Sequence, residues 1–253
     1  MPTWHALNDA LDRRADAGLE SRFWWRDDDA GPATPALERL LALHRRLAVP
    51  LAVAAIPARL DGAGALLLSA DPGIEVLQHG WDHANHAPDG AKRIELGGTF
   101  GPEGALAALK RGFALLTERL RALPVLVPPW NRIAEALIGR LAQGGYRGLS
   151  GFGPRTRPAR DGLTLVNVHV DVIAWHEGRG FVGEGAALAA AVTHLCVGRA
   201  GERDPAEPIG LLTHHAVHDE ASWRFVERFV ALIGDHPRAR WIAASEAFGL
   251  TRP

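Results

Sequence analysis

The sequence predicts an α/β fold: one barrel of about seven to eight mostly parallel strands wrapped by helices. Three observations predict it. Short apolar runs alternate with helical patterns along the whole chain, the order that builds a parallel sheet. The 253 residues match an α/β barrel, which commonly folds as one unit of ~250 residues. Residue types capable of chemistry recur just after the apolar runs, and a parallel barrel gathers those strand ends on one face. A flat doubly wound sheet is the alternative. Residues 1–253 are expected to form one domain, with 1–20 as a leading helix and no repeat or low-complexity segment.

Hydrophobic residues make up 47% of the chain, enough for a large core. Lys and Arg number 28 against 29 Asp and Glu, so no net field recruits nucleic acid or an anionic membrane. The single cysteine, Cys196, excludes an internal disulfide and, in an apolar helical pattern, reads as a core residue. Residues 1–20 carry Asp, Arg and Asn without the apolar stretch of a signal peptide. No window holds the ~18 apolar residues of a membrane span. A cytoplasmic location is the expectation.

Trp4, Leu7, Leu11 and Ala15 share one helical face within 4–19. Residues 22–26, with Phe23, Trp24 and Trp25, form an aromatic strand ending at Asp27-Asp28-Asp29. Thr34-Pro35 supplies a cap and a first-turn proline for a helix to about 47. The run 51–56 is a buried strand stopped by Pro57; a weaker helix around 66–68 and the turn Asp71-Pro72-Gly73 follow. The strand 74–77 then leads into Gln78-His79-Gly80-Trp81-Asp82-His83. Residues 84–101 lack periodicity and read as a long loop.

A helix from 102 to about 122 puts Leu106, Leu109, Phe113, Leu116 and Leu120 on one face. The strand 125–127 ends in Pro128-Pro129-Trp130, and Asn131 caps a helix to Leu141 closed by Gly144-Gly145. Strands at 148–152 and 163–170 flank an Arg/Pro-rich loop, 153–161, and the second ends at Asp171. Helix 184–197, strand 209–213, helix 219–233 capped by Asp219, and strand 241–243 complete the order.

His79 and His83 stand four residues apart after one strand. Neutral imidazole is a good ligand for zinc and similar ions, and one tight turn can aim both rings at a point. The spacing proves little alone, since His214 and His218 share it. The acidic triplet adds a carboxylate. Two histidines and one carboxylate leave a fourth position open, the layout of a catalytic metal site. Taken singly, the triplet reads as a solvated turn and the histidines as surface or core residues. Asp28, Asp29, His79, Trp130, Asp171 and His214 all lie at or just beyond expected strand ends. His214 and His215, being adjacent, must point to opposite faces of their strand.

These residues resemble the motifs of the polysaccharide deacetylase superfamily (carbohydrate esterase family four-like), metal-dependent esterases with a distorted β/α barrel, over about residues 23–214. The family's paired aspartates before Gly-Pro are similar to Asp28-Asp29-Ala30-Gly31-Pro32, with one residue inserted, and its His-x-x-x-His to His79 and His83. Its Pro-Pro-aromatic motif is similar to Pro128-Pro129-Trp130, its Asp followed by Trp to Asp171 and Trp175, and its Leu-x-His to Leu212-Thr213-His214. The resemblance implies Asp28 as general base and Asp29, His79 and His83 as metal ligands. It further implies the Trp130 N–H as oxyanion donor and His214 as general acid. Asp171, if hydrogen-bonded to His214, would orient it. Zinc is the default ion for such ligands; nickel, cobalt, manganese and iron suit the same set. The family's Arg before Pro-Pro is replaced by Val127, leaving Arg26 or Arg132 to contact the base. His-Gly-Trp-Asp-His and Leu-Leu-Thr-His-His look more like a divergent intracellular branch than the secreted enzymes.

The activity implied is metal-dependent hydrolysis of an acyl, most simply acetyl, group from an amide nitrogen of an N-acetylated sugar or glycan precursor. The expected partner is a small-molecule or glycan substrate. An amidase on a non-sugar C–N bond and a non-catalytic metal-binding barrel are the competing readings. A glycosidase would leave the two histidines unexplained. Trp81, Trp130 and Trp175 are candidates for an apolar wall, Trp175 more simply for core, with Trp223 and Trp241 in the core. His215 reads as structural, His218 as a loop or capping residue, and His86, His169 and His176 as ordinary polar residues.

Overall fold

The computed structural model describes residues 2–176, 178–196, 204 and 206–252. Its sheet is organised on β1 (Ser21–Ala30), which runs through all three aspartates rather than stopping before them. Strands β2 (Leu51–Ala55), β3 (Ile74–His79), β4 (Ala122–Val127) and β5 (Gly148–Leu149) follow in parallel, each beside the one before. On its other side β1 pairs with β9 (Ile209–Thr213), and its first residues also pair with β10 (Ala239–Trp241).

The run containing β7 (Leu163–Leu165) and β8 (Val170–Asp171) closes the ring. Its first half pairs with β5 and the residues beyond it, through Gly148↔Thr164 and Phe152↔Val168. Its second half pairs with β9, through Val170↔Leu211. One stave thus changes neighbours midway, and the result is a distorted, mostly parallel barrel. A two-residue antiparallel strand, β6 (Ala159–Arg160), hangs on β7 within the segment expected to be loop.

The crossover helices begin and end where local chemistry dictates. In α1 (Trp4–Asp16) the Thr3 hydroxyl accepts the Ala6 N–H. In α2 (Pro35–Leu47) Thr34 accepts the Leu37 N–H at 3.1 Å, and Ala48 ends the helix in the left-handed region at φ 51. Asp61 caps α3 (Gly62–Ser69). The next three are α4 (Pro102–Arg119), α5 (Glu135–Leu141) and α6 (Glu184–Leu195). Asp219 then caps α7 (Glu220–Asp235), which buries Phe225, Val226, Phe229, Val230 and Ile233 from one 3.6-period face. Burial of each such side chain contributes about 1.5–3 kcal/mol, far more than helix propensity supplies.

Strand alternation sorts the barrel into two layers. Trp24, Ala54, Leu77, Val125, Val127, Val168 and Leu212 pack together in the interior. Phe23, Trp25, Val53, Val76 and Leu211 face the helices. The N-terminal end of the barrel is plugged by α8 (Ala244–Phe248), where Phe248 meets Trp24 edge-on at 5.8 Å. Buried Glu75 pins that plug by accepting the Ser245 N–H at 2.7 Å and its hydroxyl at 2.6 Å.

Three further expectations change. Asn131 does not cap α5, which begins at Glu135 with no side-chain cap. The last strand lies two residues early, because the Ile242 N–H turns to the Phe23 carbonyl and the chain then winds into α8. Cys196 is exposed just past α6, so it is not core; the expected end of that helix at 197 lies outside the described residues. Among the described residues no helix is long and apolar enough to cross a membrane.

Candidate metal and catalytic site

Strand β1 delivers three consecutive carboxylates to three different places. Asp27 shares the helix-facing side with Trp25, while Asp28 shares the interior with Trp24. Asp29 adopts a left-handed backbone, φ 71, at the strand's end and meets the end of β3.

His79 closes β3. Its Nδ1 lies 3.1 Å from the Val127 carbonyl. A carbonyl can only accept, so Nδ1 carries the proton and Nε2 keeps a free lone pair. That Nε2 stands 3.2 Å from Asp29 Oδ1, and His83 Nε2 stands 3.3 Å from the same oxygen. The three donor atoms all lie within 4.8 Å of one another. Tetrahedral coordination with bonds of about 2.1 Å separates donors by ~3.4 Å, so one cation fits among them. Asp29 Oδ1 is buried without a hydrogen-bond partner, an orphaned polar atom whose desolvation a cation would offset.

Burial and neighbouring charges act on all three side chains. Burial alone would raise Asp29, yet His79 and its neighbours hold the carboxyl well below the usual carboxylate range. Burial alone would lower His79, yet Asp28 and Asp29 raise it. Burial pushes His83 down to about 4 against the pull of Asp29. His83 is therefore neutral at pH 7, the form that ligates.

Beside these ligands lies a second group. Arg26, fully buried, donates from Nη2 to Asp28 Oδ2 at 2.9 Å. Its Nε lies 2.8 Å from Oδ1, an ion pair although the N–H is not aimed at that oxygen. His214 Nε2 is 4.0 Å from Asp28 Oδ2, and its Nδ1 is buried with no hydrogen-bond partner. His214 acts electrostatically on Asp29, and Asp28 on His79, so the two groups adjoin.

Asp171 does not hydrogen-bond to His214. Its oxygens accept the Ile173 N–H at 2.9 Å and the Trp175 Nε1–H at 2.8 Å, and the Trp175 ring stands edge-on to His214 at 4.6 Å. Burial pushes the Asp171 carboxyl up, with His214 and both hydrogen bonds opposing. Trp175 is 37% exposed, a rim residue rather than core. Trp130 packs on His83 at 4.3 Å, and both Trp130 and Asn131 are left-handed, at φ 55 and 54. Trp81 is stacked under the Arg111 guanidinium at 4.0 Å.

Seven non-glycine residues among those described have positive φ, and four of them, Asp29, His83, Trp130 and Asn131, lie here. Such strain persists only where the surroundings impose it, and it concentrates at working sites.

The other histidines are placed as well. His215 Nδ1 meets Asp27 Oδ1 at 2.5 Å, and His218 accepts the His214 N–H at 3.4 Å while packing on Trp223. His169 is buried and accepts the Gly210 N–H at 3.0 Å.

One contributor considered from the sequence is placed, and others were not singled out there. Of the two arginines considered, Arg26 reaches Asp28, whereas Arg132 donates to the Arg93 carbonyl. Arg26 also donates to Asn131 Oδ1 at 2.8 Å and Ser150 Oγ at 2.6 Å, tying the aspartate's strand to the Pro128–Trp130 turn. Glu95, in the aperiodic loop, accepts the N–H groups of Trp81 and His83 at 2.5 and 2.9 Å. No sequence signal marks Ser150 or Glu95 beyond their being polar residues near apolar runs.

No family model and no curated protein sequence matches the chain. Solved structures do. A candidate polysaccharide deacetylase from Mycobacterium smegmatis superposes with a TM-score of 0.68 at 17% identity, over 93% of this chain and 95% of that one. A family 4 acetyl xylan esterase from Clostridium thermocellum, in complex with a cobalt ion, gives 0.56 at 16%, over 91% and 93%. A family 4 pseudoenzyme from Bacillus anthracis gives 0.59 at 12%, over 90% and 66%. At such identities the likeness speaks for architecture. The chain has the distorted-barrel fold of the family 4 carbohydrate esterases, the polysaccharide deacetylases.

Proposed function

We propose that the protein is a metal-dependent deacetylase that hydrolyses an acetyl group from the nitrogen of an N-acetylated sugar or glycan precursor. The observation that carries this reading is the orphaned Asp29 Oδ1 with two imidazole nitrogens 3.2 and 3.3 Å away, set beside Asp28 and His214. Asp29, His79 and His83 would hold the ion, with zinc as the default and cobalt, nickel, manganese or iron suited to the same donors. When bound, the ion supplies Lewis acidity, which polarises the acyl carbonyl and makes water acidic enough to react at neutral pH.

The remaining steps belong to side chains. Asp28 accepts the proton of the attacking water, oriented for it by Arg26. The Trp130 N–H donates to the developing oxyanion, a contribution often worth about 3 kcal/mol. The left-handed backbone there is what supports giving this residue the role. His214 delivers a proton to the departing nitrogen, because expulsion of an amide anion is prohibitive. Trp175 packs against the His214 ring and is itself fixed by Asp171, so Asp171 positions His214 at one remove. Trp130 and Trp175 offer apolar surface to a sugar ring or acyl methyl.

The test is removal and return of the metal. Chelation should abolish acetate release from N-acetyl sugars and zinc or cobalt should restore it; no release from any N-acetyl sugar by metal-loaded protein would end the substrate assignment. A second reading, an oxygen-linked acetyl group, is favoured by the likeness to an acetyl xylan esterase. The same assay on O-acetylated xylan separates them. An alkoxide leaves more easily than an amide anion, so an ester substrate needs His214 less.

A further inference from the structure

The turn that presents His83 is strained and has no regular secondary structure to hold it. Gly80 and His83 are both left-handed, at φ 55 and 61, and residues 81–87 belong to no helix or strand. Besides Asp82, which accepts the Ala84 N–H, and the Trp81 carbonyl, which accepts the Ala58 N–H, one carboxylate gathers two of the turn's N–H groups. Glu95, 0% exposed, lies twelve residues beyond His83, yet Oε1 accepts the Trp81 N–H at 2.5 Å and Oε2 accepts the His83 N–H at 2.9 Å. Gly80 leaves room for it, since a Cβ there would stand 2.4 Å from Glu95 Oε2.

The carboxylate is itself anchored. The loop that carries it folds back through Asn85, whose side-chain oxygen accepts the Ile94 N–H at 3.0 Å, and through the His86 N–H to the Ile94 carbonyl at 2.8 Å. The next residue, Leu96, bridges to Ile133 and accepts the Ala134 N–H at 2.8 Å. Glu95 therefore joins the His83 turn to the segment that follows Trp130, whose ring packs on His83 at 4.3 Å.

We propose that Glu95 is the positioning residue for the second imidazole ligand, and that it sets the metal affinity of the site by holding the 80–83 turn in its left-handed shape. The proposal rests on the metal-dependent reading above. Each Glu95 oxygen faces a different N–H donor, so this geometry calls for an acceptor at both positions. A glutamine of the same size presents one acceptor and one NH₂, which must oppose one of the backbone donors. Loss of an outer-shell partner of a metal ligand typically weakens binding 10–100-fold.

The experiment is cobalt(II) titration of the full chain against a competing chelator, for the wild type, E95Q, H83A and the double variant. E95Q should bind cobalt 10–100-fold more weakly, with an altered cobalt absorption spectrum. In the H83A background E95Q should add no further loss, since its effect passes through His83. Should E95Q bind as tightly as the wild type, or weaken binding equally with and without His83, the positioning role is overturned while the metal site stands. Should the wild type bind no cobalt, this proposal and the metal-dependent reading fall together. If E95Q folds poorly, N85A, which loosens the loop beneath Glu95 without touching the carboxylate, should weaken binding in the same His83-dependent way.

Discussion

Two Asp–His pairs sit one residue apart, their aspartates on β1 and their histidines just past the end of β9, and they differ in almost every physical respect. Asp27 and His215 face the helices. The Asp27 carboxylate accepts His215 Nδ1–H at 2.5 Å, the His215 N–H at 3.1 Å and the Thr213 hydroxyl at 2.6 Å, and that hydroxyl accepts the Trp25 Nε1–H at 2.9 Å. Asp28 and His214 face the barrel interior. They stand 4.0 Å apart, the imidazole has an unpartnered nitrogen, and its side chain is 10% accessible. The first pair is sealed and satisfied, the second spaced and unfinished. Residue type cannot separate them; the two-residue period of the strand does. A saturated pair locks architecture, whereas one with unspent hydrogen-bonding capacity has something left to offer a substrate.

Three measurements would break or sharpen that contrast. The largest effect is expected from Asp28→Asn, which removes the base but keeps its shape. Turnover per folded molecule should fall about 10⁴-fold, the upper end for general base catalysis, with cobalt binding retained; retained turnover would mean that the interior pair is no more functional than the outer one. Asp27→Asn should do the opposite. Breaking a buried ion pair from one side costs about 3–5 kcal/mol, read by denaturant unfolding, while turnover per folded molecule stays near wild type.

The smallest effect concerns pH. Burial opposes it, but Asp27 raises the His215 imidazole above its ordinary value. A raised histidine contributes stability that is fully present below about pH 6.5 and is lost as pH rises through the folded-state value. The stability gap between the wild type and His215→Gln should therefore narrow as pH climbs from 6 towards 9. A gap that widens over that range would show that the outer pair is not ionic.

Much of this was legible beforehand, and the reasons are local. The caps at Thr34 and Asp219 and the aromatic strand before the aspartates follow from side-chain chemistry and strand period acting within a few residues. The meeting of Asp29 with His79 and His83 was expected from strand ends sharing a face. What escaped depends on partners distant in the chain. Asn131 has the chemistry of a helix cap but is taken by Arg26, which arrives from β1. Glu95 sits in a polar loop like many exposed glutamates, and only the folded loop returns it to the histidines. Cys196 continues an apolar pattern whose helix stops one residue before it.

The central position of β1 has a consequence for synthesis. The strand that bears all three aspartates pairs with β2 along one edge and β9 along the other, and at its start with β10, so Asp27 waits for Thr213 before its register is complete. At 5–20 residues per second, that delay on the ribosome is on the order of 10–40 s. During it an apolar, aromatic edge stands open to wrong neighbours. The nascent chain is thus most vulnerable in the very segment that will carry its chemistry, and a C-terminal truncation that removes β9 should lose the site at the opposite end of the sequence.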